Sequence, residues 1–253
     1  MLSGFDRTPL TPAPVDELLS RYRSGSHCNL RADTTIFKYG DPAPRFYRVI
    51  SGIVRSYAEL ADGRRQVTDF LFEGDLFGLQ PSGSYNVTAE AVTNVTLAVY
   101  SFNARGGVPS TVSLELARTL LDTVSTRLNE AREWMMLLGR KTAEERLATF
   151  IVQLATHTGS SDGTLVAVPM TRGDIADYLG MTLETVCRMF RALRERRIIA
   201  LPNPSEVRVL DRTALESLAN GEHYVARTRF PTRSIPERGG AGHAARGYAE
   251  QRL

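Results

Sequence analysis

Along the first part of the chain, short segments rich in apolar residues are separated by turn-forming residues. Between residues 28 and 102 these segments favour β structure. The pair Asp62-Gly63 between two of them is typical of a tight type I′ hairpin turn. The segments are 34–39, 46–50, 53–58, 66–72 and 86–100. Many short strands with regular turns indicate a closed β sandwich or roll. We therefore predict a β domain over residues 28–109, preceded by a lead-in at residues 1–27.

The apolar pattern becomes helical over residues 110–139. Apolar residues recur there at alternating spacings of three and four: Leu114, Ala117, Leu121, Val124, Leu128, Ala131, Met135 and Leu138. This spacing places them on one face of a helix, and a seam of this length favours a coiled-coil homodimer. A helix that packs against its own β domain would show a similar stripe. We favour the dimer and expect Leu114, Leu121, Val124, Leu128, Met135 and Leu138 to form its interface.

Gly139 interrupts the seam and indicates a domain boundary. A second amphipathic helix is predicted from Thr142 to Ala155. We assign residues 140–221 to a C-terminal domain and residues 222–253 to a flexible tail.

Within this domain, residues 171–193 have the pattern of two short helices joined at a glycine. Thr171 to Asp174 has the form of a capping box, and Gly180 is expected to end the first helix in a tight turn. Thr182 is expected to cap the second helix. The predicted buried face of that helix consists of Val186, Met189, Phe190 and Leu193. Its opposite face carries Glu184, Cys187, Arg188 and Arg191.

This arrangement predicts a DNA-binding helix-turn-helix. An α-helix fits the major groove, where arginine donates two hydrogen bonds to guanine and glutamate accepts one from cytosine. The segments 198–201 and 207–210 are expected to form a β hairpin, the wing. A generic helical packing unit with solvated arginines is the alternative, but the agreement of cap, turn and two-faced helix argues against it.

Composition narrows the remaining classes of function. The chain of 253 residues has no run of about 18 apolar residues that could cross a bilayer and no basic-then-apolar leader, so we expect a cytoplasmic protein without membrane contact. Its cysteines, Cys28 and Cys187, are too few for a disulfide framework or a metal cage. No metalloprotease, nucleophile-elbow or P-loop motif is present, so we predict no catalytic residue, metal or cofactor.

The net charge of +3 does not by itself indicate DNA binding. The local charge does, because residues 188–197 contain five arginines and one acid, Glu195. The arginines are Arg188, Arg191, Arg194, Arg196 and Arg197.

The segments TRGDIADYLG (171–180) and ETVCR (184–188) resemble the helix-turn-helix of the Crp/Fnr superfamily, and most closely its FixK branch. The resemblance extends over about residues 28–220. It implies an α+β fold with an N-terminal cyclic-nucleotide-binding-like β roll, a long dimerisation helix and a C-terminal winged helix-turn-helix.

The resemblance also implies roles for individual residues. Glu184 and Arg188 would read base edges, and we add Cys187 because it lies between them. Thr171, Arg172 and Thr182 would contact phosphates, and we add Arg191 to this group.

Members of the family with an apolar residue just before the reading glutamate resemble the Fnr-like readers of TTGA…TCAA half-sites. Leu183 stands at that position, so the resemblance implies these half-sites. The expected protein is mainly an activator that binds double-stranded DNA and RNA polymerase and controls genes of microoxic respiration or nitrogen fixation.

Departures from the family bear on the controlling signal. Tyr85-Asn86 stands where nucleotide-binding members place Arg-Ser, so we do not expect cyclic AMP to bind. Cys28 alone cannot build a four-thiolate iron–sulfur cluster. A regulator gated by another small molecule in the β roll is the alternative function.

Cys187 is a candidate redox switch. Neighbouring guanidiniums and the helix N-terminus should favour its thiolate, and an oxidised sulfur would bring negative charge to the DNA. An equally open interpretation is that Cys187 is simply a small residue at a position where the family often has serine.

Overall fold

The computed structural model describes residues 27–80, 83–101, 134–159 and 164–221, together with 125, 128, 129, 131 and 132. The N-terminal part is a β roll of two four-stranded antiparallel sheets, ordered β1-β8-β3-β6 and β2-β7-β4-β5. Its strands are β1 (His27–Leu30), β2 (Thr35–Phe37), β3 (Arg45–Ser51), β4 (Val54–Glu59), β5 (Arg65–Leu71), β6 (Leu76–Phe77), β7 (Thr88–Ala91) and β8 (Val95–Ser101). Apolar side chains fill the space between the sheets, including the fully buried Val49, Val54 and Leu97.

The structure corrects two predictions about the β roll. The segment 86–100, predicted as one strand, forms β7 and β8, because the residues between them turn and Thr93 Oγ1 accepts a hydrogen bond from the Ile53 amide. The Asp62-Gly63 hairpin forms between β4 and β5, but the turn is not type I′. Gly63 has a φ of 82°, whereas Asp62 does not have positive φ. Strands β1 and β6 were not predicted.

The C-terminal part is a winged helix-turn-helix. Its elements are α1 (Ala143–Thr158), β9 (Leu165–Ala167), α2 (Arg172–Leu179), α3 (Leu183–Glu195), β10 (Ile199–Asn203), β11 (Glu206–Val209) and α4 (Arg212–Asn220). The predicted wing is the β10–β11 hairpin, and β9 extends it to a three-stranded sheet in the order β10-β11-β9. Leu147, Ile151, Leu179 and Leu193 lie in its core and are fully buried. The predicted fold class is thus confirmed.

A connecting helix joins the two parts, and its described residues are 125, 128, 129, 131, 132 and 134–140. The helix continues through residue 140, one residue past its predicted end at Gly139. It ends where Thr142 caps α1 in a reciprocal capping box with Glu145.

The predicted seam residues lie in different environments. Leu128 and Met135 are 51% and 65% exposed, whereas Leu138 is partly buried against the core of the DNA-binding domain. Leu114, Leu121 and Val124 lie outside the described residues. The dimer interface therefore stays a prediction.

The β roll and the winged helix-turn-helix share one apolar cluster. Phe70, on the outer face of the β4–β5 hairpin, lies 5.0 Å from Tyr178 of α2, measured between ring centroids. Phe72 stacks on His157 of α1 at 4.2 Å, and Trp134 of the connecting helix stacks on Tyr178 at 4.0 Å. The first helix of the DNA-binding motif is therefore packed between the β roll and the connecting helix.

Among the described residues, no helix is both long and apolar enough to cross a membrane. The same residues contain no group of three or more His, Cys, Asp or Glu side chains placed to hold a metal ion.

Candidate nucleic-acid interface

Helix α2 begins and ends as the sequence predicted. Thr171 Oγ1 accepts a hydrogen bond from the Asp174 amide at 3.0 Å, and the Asp174 carboxylate accepts one from the Thr171 amide at 3.1 Å. Gly180 ends the helix with a φ of 61°, a left-handed conformation that glycine adopts without a Cβ clash. These two ends fix where α2 stops and where the next helix starts.

The recognition helix α3 has the two predicted faces. Thr182 caps it by accepting a hydrogen bond from the Thr185 amide at 3.2 Å. Val186, Phe190 and Leu193 are buried in the domain core, and Met189 packs partly against it. The exposed face carries Glu184, Cys187, Arg188 and Arg191. An amphipathic helix held in this way can enter a major groove with its polar face outward.

The charge on this face is available for a partner. In the described part of the chain, Arg188, Arg191 and Arg194 form no ion pair and are exposed. Arg196 differs, because its guanidinium is paired with Glu144 of α1 at 2.5 Å. Three arginines of the predicted cluster can therefore donate to phosphates or base edges without breaking an ion pair in the protein.

Two predicted phosphate contacts are engaged inside the domain. The Thr171 hydroxyl donates to Asp174 Oδ2 at 2.7 Å, which uses the one proton it has to give. The Arg172 guanidinium stacks over the Phe190 ring at 3.6 Å, and its Nη1 is buried without a hydrogen-bond partner among the described residues. A phosphate contact from Arg172 would have to use its other N–H groups.

Arg172 also lies near the candidate redox cysteine. Burial lowers the pKa of the Arg172 guanidinium below its usual value, and the negative charge of a Cys187 thiolate acts in the opposite direction. The two side chains are thus close enough to interact electrostatically. Cys187 itself is exposed, whereas Cys28 is half-buried and burial raises the pKa of its thiol.

Sequence reasoning missed a second role of Asp174. Besides capping α2, its carboxylate accepts hydrogen bonds from Arg55 and Arg65 of the β roll. These partners are 119 and 109 residues away along the chain, so no local spacing could have indicated them.

Tyr85 lies where nucleotide-binding relatives were expected to carry a phosphate-binding arginine. Its ring is buried inside the β roll and stacks on Phe37 with the ring centroids 3.7 Å apart. Its hydroxyl donates to the Arg45 carbonyl at 2.7 Å, and burial raises its pKa. A neutral aromatic side chain thus occupies this position in the roll.

Comparisons with known proteins agree with both parts of the structure. Residues 27–104 match the cyclic nucleotide-binding domain family, and residues 145–218 match the Crp-like helix-turn-helix domain family. The nitrogen fixation regulation protein FixK of Rhizobium meliloti (strain 1021) is 37% identical over 213 residues, which span 83% of this chain and 92% of that protein.

Two further proteins extend this result. The transcriptional activatory protein AadR of Rhodopseudomonas palustris is 35% identical over 83% of this chain and 87% of its own length. The solved structure of FixK2 from Bradyrhizobium japonicum superimposes with a TM-score of 0.70 and 35% identity, covering 76% of this chain and 96% of that one.

These relatives are transcription regulators, as the helix-turn-helix pattern predicted. With the capped recognition helix and its exposed arginines, they identify the chain as a DNA-binding transcription regulator that belongs to the FixK-like branch of the Crp/Fnr superfamily.

Proposed function

We propose that the protein binds TTGA…TCAA palindromes as a homodimer and mainly activates transcription. One observation carries this proposal: Glu184, Cys187, Arg188 and Arg191 form one exposed stripe on a helix whose opposite face is buried. Glu184 and Arg188 read base edges in this proposal, with Cys187 between them. Arg191, Thr182 and the remaining N–H groups of Arg172 face the phosphates. Thr171 is not included, because its hydroxyl already donates to Asp174.

Fluorescence anisotropy with a labelled palindrome and a scrambled competitor tests the base reading. Arg188→Ala is expected to weaken specific binding by about 1–3 kcal/mol, the contribution of one bidentate base contact. The matched control is Arg212→Ala, because this arginine lies on α4, is 72% exposed and pairs only with Glu216 among the described residues. Equal affinity of the wild type for palindrome and scrambled DNA would overturn the proposal.

The dimer is proposed to form along the connecting helix. Leu128 and Met135 are largely exposed in a single chain, and they share the stripe that includes Leu114, Leu121 and Val124. Met135→Glu is expected to shift the protein from dimer to monomer in sedimentation equilibrium, because it would bury a charge in the seam. Met136→Glu is the matched control: Met136 is 62% exposed but lies one residue away, off the seam. Dimers that persist in Met135→Glu would contradict the proposed interface.

Cys187 is proposed to make DNA binding sensitive to oxidation. Its thiolate attacks one oxygen of hydrogen peroxide, the O–O bond breaks, and hydroxide leaves while sulfur becomes a sulfenic acid. A second peroxide transfers one oxygen atom to the sulfenic acid, water leaves, and the resulting sulfinic acid releases its proton to become a sulfinate, which is negatively charged at neutral pH. That charge would face DNA phosphates and is expected to lower affinity.

The test compares each protein before and after peroxide treatment. The wild type and Cys28→Ser are expected to lose affinity, whereas Cys187→Ser should show the same affinity before and after. Equal peroxide sensitivity of wild type and Cys187→Ser would refute the switch.

The target genes are proposed from the relatives. Proteins named for nitrogen fixation regulation are similar over most of this chain, so we propose control of nitrogen-fixation or microoxic-respiration genes through contact with RNA polymerase. The alternative is a regulator gated by a small molecule in the β roll, where Cys28, Arg45 and Tyr47 line an open cleft. Transcription in vitro with purified polymerase distinguishes the two. Activation without an added small molecule supports the proposal, and activation only with a cell extract of small molecules supports the alternative.

A further inference from the structure

The β4–β5 hairpin of the β roll reaches the first helix of the DNA-binding motif. Arg55 Nη1 and Arg65 Nη2 donate to the two carboxylate oxygens of Asp174 at 3.2 and 2.6 Å. Arg65 Nε also donates to Asp177 at 2.9 Å, one turn further along α2. Two strands of one domain thus hold two carboxylates of the other.

The same hairpin holds the other end of α2. Gln66 Nε2 donates to the carbonyl oxygens of Asp177 and Tyr178 at 2.5 and 3.3 Å. Carbonyls in the last turn of a helix have no hydrogen-bond donor within the helix, so the Gln66 side chain supplies a donor that they lack. Attachment at both ends of α2 restricts its rotation as well as its distance from the β roll.

The contacts of Asp174 are shielded from water. The side chain of Asp174 is 2% exposed, that of Arg55 is 11% and that of Arg65 is 28%. Arg55 is also paired with Glu90 at 2.8 Å, which fixes the guanidinium on the roll side. Charged hydrogen bonds in such surroundings are directional, whereas the aromatic contacts of Phe70 and Trp134 with Tyr178 tolerate sliding. The ion pairs therefore define one orientation among those that the apolar contact would allow.

We propose that Arg55, Arg65 and Gln66 are positioning residues for operator binding. They hold α2 in one orientation, and α2 packs on the recognition helix α3, so they set where each subunit of the dimer presents its reading face. Two half-sites of a palindrome lie about one helical turn apart, roughly 34 Å, and a dimer must match that spacing. This inference rests on the proposed dimeric binding to a palindrome.

Two variants break the attachment mildly, at opposite ends of α2. Arg65→Gln removes the shared cation while leaving Arg55 on Asp174, and Gln66→Ala removes the donor to the last carbonyls. Arg64→Gln is the matched control, since Arg64 is the neighbouring arginine, is 76% exposed and pairs only with Asp62 of its own turn among the described residues.

The first measurement needs no DNA. Trp134 is the single tryptophan of the chain and stacks on Tyr178 of α2, so its emission reports on the position of this helix. We expect Arg65→Gln and Gln66→Ala to keep the wild-type circular dichroism but to show emission at longer wavelength and stronger acrylamide quenching. Wild-type emission and quenching in both variants would overturn the inference.

The second measurement is spacing selectivity, the ratio of Kd for a palindrome with one inserted base pair to Kd for the normal palindrome. We expect this ratio to fall about tenfold in Arg65→Gln, the factor of one charge-assisted hydrogen bond, and about threefold in Gln66→Ala, whose hydrogen bonds to the carbonyls are neutral. The ratio should stay unchanged in Arg64→Gln. A merely stabilising role would weaken binding to both duplexes equally and leave the ratio unchanged, which would overturn the inference.

If wild-type protein showed no preference for the palindrome, the proposed function and the operator role would both fail. Altered Trp134 emission would then still identify the attachment between the domains.

Discussion

Replacing Asp174 with alanine should destabilise the protein far more than its small size suggests. Its carboxylate accepts four hydrogen bonds, from Arg55 at 3.2 Å, from Arg65 at 2.6 Å and from the amide and hydroxyl of Thr171 at 3.1 and 2.7 Å. The Asp174 side chain is 2% exposed, so its hydrogen bonds form in the protein interior and do not compete with bulk water. The variant loses part of a helix cap and one partner of a buried ion pair.

The size of the loss follows from what the arginines keep. Removing one partner of a buried pair typically costs about 3–5 kcal/mol, because a charge stays buried without compensation. Here Arg55 retains Glu90 at 2.8 Å and Arg65 retains Asp177 at 2.9 Å, which limits that penalty. We therefore expect the lower end of the range, about 3 kcal/mol, with a lost helix cap of about 1 kcal/mol included. For a chain of this size, that corresponds to a fall in Tm of roughly 6–12 °C.

Urea unfolding of wild type and Asp174→Ala, followed by circular dichroism and Trp134 emission, measures this difference. All proteins must be compared at one concentration, because the proposed dimerisation would add to apparent stability. Asp177→Ala is the matched control: its side chain is 31% exposed and pairs only with Arg65 among the described residues, so about 0–1 kcal/mol is expected. The reasoning is refuted if Asp174→Ala is no less stable than Asp177→Ala.

Three further predictions concern the rest of the fold. Gly52→Ala should cost more than about 2 kcal/mol in urea unfolding, because its φ is 86° and a Cβ would lie 2.3 Å from a backbone oxygen, whereas Gly63→Ala, at φ 82° with open space around it, should cost about 1 kcal/mol. Leu147→Ala should cost about 2–5 kcal/mol by the same assay, since the side chain is fully buried. Burial and the hydrogen bond to Glu90 raise the pKa of Tyr57 to about 12, so its contribution to stability is present below pH 10 and is lost as the pH rises to 12. Tyr57→Phe should remove that part of the loss of stability at alkaline pH. Urea unfolding measures the stability, and phenolate absorbance follows the titration of Tyr57 in the wild type.

The sequence by itself determined the local features of the DNA-binding motif. The capping box at Thr171, the turn at Gly180 and the two faces of α3 each depend on residues within one or two helical turns of each other. Their spacing is therefore visible in the sequence. The existence of a β roll followed from the same kind of short-range signal, the alternation of strands and turns.

The tertiary structure decided how these parts meet. The division of residues 86–100 into two strands and the turn conformation at Asp62 depend on neighbours that a linear pattern does not contain. The stacking of Arg172 on Phe190 turned a predicted phosphate ligand into a partly buried group.

The pairing of Asp174 with two arginines of the β roll is the clearest case. It joins residues more than 100 positions apart, at 119 and 109, and only chain folding brings them together. The sequence thus determined the second helix of the helix-turn-helix, because that helix is built from contacts a few residues apart. Its orientation was decided by long-range packing, because a buried ion pair depends on where two domains lie in space.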